Sequence, residues 1–456
     1  METNKMAVMP VNKLLLNMGL PMILSMMLQA VYNIVDSAFV ANMPENGEAA
    51  LNALTLAFPV QMLMVAIGVG TGVGAGALIS KSLGAEDRER ASRATGNTIF
   101  LAAVIYVIFL LFGLFGVDAY IASQSGNPLI VSMAADYLRI CCVYSFGIVF
   151  FSVFEKILQA TGRSIYSTAA QISGALVNVV LDPILIYGMF GLPVMGVRGA
   201  AYATVIGQIV SFLVALFAHL RFNRELENRL AYLKPSKSDI LNIYAIGFPA
   251  ILAQALMSVM TYLLNIIFVR IGENVVTAYG LYYKIQQFVL FAAFGLRDAI
   301  TPVISFNHGK RDRKRVSDGV TYGVSYTLFI MAAGFLLLEV FARPFSTLFG
   351  LSGETEALCV SAIRIISISY VFAGLNISLQ GVFQALDSGL PSLVISVCRQ
   401  FLFVIPAAWL LASLVIKNAD TPVWIVWFSF LIAEALSAAI ACLFLRTVWR
   451  TKIRVL

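Results

Sequence analysis

Asp36 lies within VYNIVDSAFV and Asp182 within VNVVLDPILI, both deep in apolar runs of a 456-residue chain that is 60% hydrophobic and 12% charged. A charged side chain inside a bilayer is costly unless it is paired, hydrated or neutralised, so each acid marks a functional site. Asn178 precedes Asp182 by four residues, which puts amide and acid on one helix face, one turn apart. Ala200 and Thr204 have the same spacing in the next apolar run. Carboxylates, an amide oxygen and a hydroxyl form an all-oxygen set suited to relayed protons or to a hard monovalent cation such as Na+. The thiol and imidazole ligands that favour zinc are absent from it. Pro183 adds an acceptor, because its ring offers no N–H to the carbonyl of Val179. The competing reading is a pair of structural acids hydrogen-bonded to Asn178 and nearby backbone. Against it, apolar replacements of buried ionic groups are often neutral or favourable, so two acids at matched depth are hard to explain by stability alone.

These residues need helices to hold them. Mean hydropathy is +0.87, and a bilayer-crossing helix needs about 20 apolar residues. Twelve such runs are expected, near 14–40, 53–80, 95–116, 130–154, 164–187, 197–219, 240–268, 277–305, 320–342, 357–383, 391–413 and 424–446. The fold class expected is therefore an all-α integral membrane protein. With the N-terminus inside, 22 of the 31 basic residues fall in inner connections and four in outer ones, which predicts both termini in the cytoplasm. Basic residues scattered over short loops give the net charge of +7 without implying nucleic-acid binding. The first run lacks a small-residue cleavage pattern and reads as a span rather than a signal peptide. The five cysteines all fall in expected spans with no CxxC, which implies neither a metal site nor a disulfide framework.

The chain repeats itself at a shift near 225 residues. GLPMIL at 19–24 answers GFPAIL at 247–252, SKSLGAEDRERA at 80–91 answers SFNHGKRDRKRV at 305–316, and QATGRSIYS at 159–167 answers QALDSGLPS at 384–392. Six spans per half is an even number, so both halves enter the membrane the same way up, related by a pseudo-two-fold axis along its normal. The expected organisation is an N-terminal lobe at 1–220, a cytoplasmic linker at 221–239 and a C-terminal lobe at 240–456. Lys284, Arg297 and Asp298 in the eighth run are expected to pair among themselves or snorkel. Glu434 and Arg399 have no assignable partner.

The stretch from GLPMILSMMLQAVYNIVDSAFVA through QATGRS, NVVLDPILI and MGVRGAAYATVIGQ, with its matching second half, resembles the multidrug and toxic compound extrusion (MATE) transporters, bacterial-type secondary exporters of twelve spans in two lobes. The resemblance covers nearly the whole chain. It implies a cation site, for H+ or Na+, on Asp36, Asn178, Asp182, Thr204 and the carbonyl of Ala200, and a responsive bend at Pro21. It further implies a monomer in the bacterial cytoplasmic membrane, no cofactor, and small-molecule organic cations and membrane lipids as partners. A branch of that family uses acids in the seventh and tenth spans, but FPAILAQALMSVMTYLLNIIFV and RIISISYVFAGLNISLQGVF contain none, so a second-lobe sodium site of that type is not expected. Gln29, Tyr32, Asn33, Met257, Tyr282 and Tyr283 are the expected drug contacts, since Met adapts its shape and aromatic faces attract cations.

The function expected is cation-coupled antiport of lipophilic organic cations by alternating access. A flippase for a lipid-linked sugar is the alternative; it calls for fixed basic residues in its cavity, and the first half offers chiefly Arg139. An enzyme is not expected, because no HExxH, P-loop or complete GxSxG constellation appears.

Overall fold

The structure, a computed structural model, describes residues 4–348, 353–418 and 420–456, the side chains of Asn33, Ile34, Glu48 and Leu348 excepted. Helix dominates because hydrocarbon leaves no solvent partner for backbone N–H and C=O groups. Among the described residues there is no strand, and ten long apolar helices together with two bent helix pairs supply twelve spans. In the first half these are Val11–Ala41, Gly47–Gly84, Arg88–Phe115, the bent pair Pro128–Val143 and Phe146–Ala160, Ser164–Tyr187 and Val197–Phe222. The second half repeats the order with Lys237–Val269, Glu273–Gly309, Arg313–Leu348, the bent pair Gly353–Ser367 and Tyr370–Ala385, Gly389–Lys417 and Val423–Ile453.

The internal repeat extends to details of the backbone. The broken span is fourth in each half, bent by 48° and by 52°. Glu86 and Arg311, at matching places in the two charge-dense turns, both take left-handed φ values of 61° and 58°. One residue later, Asp87 accepts from Arg90 N at 2.9 Å and Asp312 from Arg315 N at 3.1 Å, each satisfying an orphan donor at a helix start. The third matching pair is Gly162 and Asp387, with φ of 81° and 52°.

The chain forms two compact units, Met1–Ala7 with Leu24–Ile251, and Val8–Ile23 with Leu252–Leu456. They differ from the expected lobes in two helix ends. The start of the seventh span belongs to the first unit, where Asp239, 1% exposed, meets Arg93 Nε at 2.6 Å and Tyr244 Oη lies 3.4 Å from Thr71 Oγ1. The start of the first span belongs to the second unit, where Arg315 Nη2 donates to the carbonyl of Met9 at 2.8 Å. Charged and hydroxyl side chains thus fix an assignment that sequence order does not reveal. Pro21 and Pro249 each lie just before the residue where their helix passes from one unit to the other, and both helices run unbroken through the proline. The expected linker, 221–239, lies wholly in the first unit.

Candidate cation and substrate site

The site begins with two glycines. A Cβ on Gly174 would overlap Ser211 Oγ, and one on Gly207 would stand 2.7 Å from the Gly174 carbonyl and 3.0 Å from Asn178 Cβ. Their absence lets the fifth and sixth spans touch, much as small residues do at other helix interfaces in membranes. Asn178, one turn beyond Gly174, then brings Nδ2 to 3.4 Å from Thr204 Oγ1. The first span is held against this pair by Tyr187, whose hydroxyl donates to the Phe39 carbonyl at 2.7 Å and whose ring meets Phe39 edge-on. Asp36, close before Phe39, and Asp182, close before Tyr187, are thereby set at one level.

At that level the two carboxyls stand within hydrogen-bonding reach of each other. Asp182 is fully buried, Asp36 is 9% exposed, and Asn178 and Thr204 are buried. Among the described residues, no donor reaches Asp36 Oδ1, Asn178 Oδ1 or either oxygen of Asp182. Two ionised carboxylates only accept, so their contact becomes a hydrogen bond when one of them takes a proton. A monovalent cation between them would relieve the same repulsion. Among the described residues, no group of three or more His, Cys, Asp or Glu is placed to hold a metal. Two acids with neutral oxygens fit a proton or one monovalent ion better than a divalent one, which draws on more oxygen ligands.

The residues expected from sequence are distributed as follows. Asp36, Asn178, Asp182 and Thr204 come together in the first unit, and Tyr32, one turn before Asp36 on the same helix, lies close to them. Ala200 is fully buried in the first turns of the sixth span. Gln29 is half-buried in the same unit, and the Asn33 side chain lies outside the described residues. Met257 and Tyr283, both half-buried, fall in the second unit with Tyr282, which is fully buried and donates to Gln286 Oε1 at 2.7 Å.

Three neighbours escaped the sequence reading. Tyr137 and Cys141 of the fourth span are near enough to Asp36 to feel its charge, and Gln61 of the second span donates to Tyr137 Oη at 3.2 Å and to Cys141 Sγ at 3.4 Å. Tyr and Cys are common in apolar runs and carry no signal alone. Matching their depth to Asp36 was the available clue.

The second unit contains buried charge of another kind. Glu434 is gripped by Arg399 through Nε at 2.9 and 3.1 Å and Nη2 at 2.6 Å, and Asn376 Nδ2 adds a bond at 2.8 Å. Arg399 lies in a π-helical turn, Cys398–Leu402. Arg297 and Asp298 pair at 2.8 Å, as expected, and Lys284 is exposed.

Comparison with known proteins agrees with this architecture. The MatE family model matches residues 21–184 and again 249–410, one match in each half. The multidrug export protein MepA of Staphylococcus haemolyticus is 26% identical over 431 residues, covering 94% of this chain and 92% of that protein. MepA of Staphylococcus aureus is 25% identical over 442 residues, covering 95% and 93%. A crystal structure of a MATE protein in complex with MaL6 superposes with a TM-score of 0.90 at 25% identity over 98% of both chains. An outward-facing multidrug resistance MATE family transporter of the MOP superfamily gives 0.89 at the same identity and coverage. Matched by the family model in both halves and built of twelve spans, the chain belongs to the MatE family of multidrug efflux transporters.

Proposed function

We propose that this protein exports lipophilic organic cations across the bacterial cytoplasmic membrane in exchange for H+ or Na+, with Asp36 and Asp182 carrying the exchange. The observation behind this reading is the pair of adjacent buried carboxylates, three of whose oxygens receive no donor among the described residues. An ion entering between them removes repulsion and changes what the surrounding helices prefer; drug bound to one state and ion bound to another are then reciprocally linked. Asn178, Thr204 and the carbonyls of Ala200 and Val179 supply the remaining oxygens. Pro21, where the first span leaves one unit for the other, is the hinge. Gln29, Tyr32, Asn33, Met257 and Tyr283 are the proposed drug contacts. Both termini in the cytoplasm fit the basic-residue asymmetry.

The test is efflux from proteoliposomes with proton and sodium gradients imposed separately. Native protein should move a lipophilic cation against its gradient with at least one of the two ions, and Asp36→Asn should not respond to either. Gradient-driven efflux by Asp36→Asn equal to native would remove the acids from the coupling.

A further inference from the structure

The segment 223–236, within the expected cytoplasmic linker at 221–239, is a strap pinned across the end of the first unit that the basic residues mark as cytoplasmic. Asn97 Nδ2 donates to the carbonyls of Tyr232 and Lys234, each at 3.3 Å, and Ser236 N donates to Asn97 Oδ1 at 2.6 Å. Glu227 N donates to Ser92 Oγ at 2.9 Å, and Asn228 Oδ1 lies 2.9 Å from His219 Nε2. Gly96 makes the approach possible, since a Cβ there would overlap the Tyr232 carbonyl.

Beneath the strap is a cavity of about 310 Å³, lined by Ile99, Phe150, Phe154, Phe212 and Leu216. Phe212 packs 5.4 Å from Phe150 and 5.8 Å from Phe154, centroid to centroid, which gives the cavity an aromatic wall. At its edge Glu227 and Arg229 form a 2.9 Å ion pair whose side chains are 49% and 67% exposed. Leu213, Phe217 and Leu220 of the sixth span are exposed close by in sequence, so apolar surface continues outside the cavity, and Leu230 on the strap is 85% exposed.

An apolar chamber with a polar edge at a membrane interface suits an amphiphile. The charges at the edge choose the class. A single cation would compete with Arg229 for Glu227, and a single anion would meet Glu227 as a repulsive neighbour, whereas a molecule carrying both charges satisfies each side. Exposed ion pairs are held weakly and open readily. We propose that this cavity is a lipid site, taking part of one acyl chain of a zwitterionic phospholipid beneath the strap, with the ammonium at Glu227 and the phosphate at Arg229. A primary ammonium donates to the Glu227 carboxylate, which a quaternary one cannot.

Full-length protein in nanodiscs of phosphatidylethanolamine, phosphatidylcholine or phosphatidylglycerol, each doped with the same lipid bearing a photoactivatable acyl terminus, tests this. Label should appear on peptides spanning Phe150–Phe154 and Phe212–Leu216, about fivefold more with phosphatidylethanolamine than with phosphatidylglycerol, a difference of about 1 kcal/mol. Glu227→Lys, a change at an exposed position, should reverse that headgroup preference. Leu216→Trp should suppress labelling in every lipid without moving the thermal unfolding midpoint of the protein. Equal labelling across headgroups, no labelling at these peptides, or an unchanged preference in Glu227→Lys would overturn the proposal. So would displacement of the label by low-micromolar tetraphenylphosphonium, which would assign the cavity to organic cations.

Discussion

The two units treat a membrane-buried carboxylate in opposite ways. In the second, Glu434 is neutralised by a two-pronged guanidinium and an amide, so its charge is fully occupied in holding helices together. In the first, Asp36 and Asp182 face each other, and among the described residues no donor reaches three of their oxygens. A paired acid can be explained by structure. A pair of acids without such a partner leaves room for a mobile one, and this difference is why the proposed ion coupling is placed in the first unit.

The sharpest way to break the comparison is to neutralise each acid in turn. Asp182→Asn should reduce gradient-driven efflux on the order of 100-fold, equivalent to about 3 kcal/mol, while the purified protein keeps its native unfolding midpoint. Glu434→Gln should do the reverse. Leaving Arg399 buried without its carboxylate should destabilise the protein by about 3 to 5 kcal/mol in denaturant unfolding, with export per folded molecule retained. Replacing both, as Glu434→Leu with Arg399→Met, should recover most of that loss, because apolar packing substitutes well for a buried ion pair. If Glu434→Gln stayed folded but lost coupling, the second unit would hold a coupling acid too and the contrast would fail.

Smaller effects sharpen the same division. Asn178→Ala and Thr204→Ala each remove one neutral oxygen and should weaken the coupling ion by about tenfold, in the range of a single hydrogen bond. The apparent ion affinity of driven efflux measures this. Pro21→Ala leaves every oxygen in place, so it should slow turnover while leaving ion affinity within about twofold of native. A matching loss of ion affinity would make Pro21 part of the site rather than a hinge.

How much of this could be read from the chain depended on local contrast. Asp36, Asn178, Asp182 and Thr204 stood out because single polar residues interrupt apolar runs, and a spacing of four fixed the shared faces. The twelve spans and the repeat were legible for the same reason, since hydropathy and turn chemistry act locally. The Arg399–Glu434 pair was not, because its partners are on different spans and a π-helical turn changes the phase of Arg399 relative to a regular helix. Nor was the exchange of helix ends, which rests on Arg93 meeting Asp239 across 146 residues. The breaks after Val143 and Ser367 contain neither proline nor glycine at the junction, so the usual sequence marks of a kink were missing there.

The central claim is that the ion and the drug compete through Asp36 and Asp182. Drug affinity of the detergent-purified protein, measured from mildly acidic to mildly basic pH with and without sodium, tests it most directly for native protein, Asp36→Asn and Asp182→Asn. Affinity that falls at low pH, or on adding sodium at constant high pH, with the dependence lost in both variants, is the predicted result. Native affinity that is flat in both variables, or a dependence that survives unchanged in both variants, would contradict it.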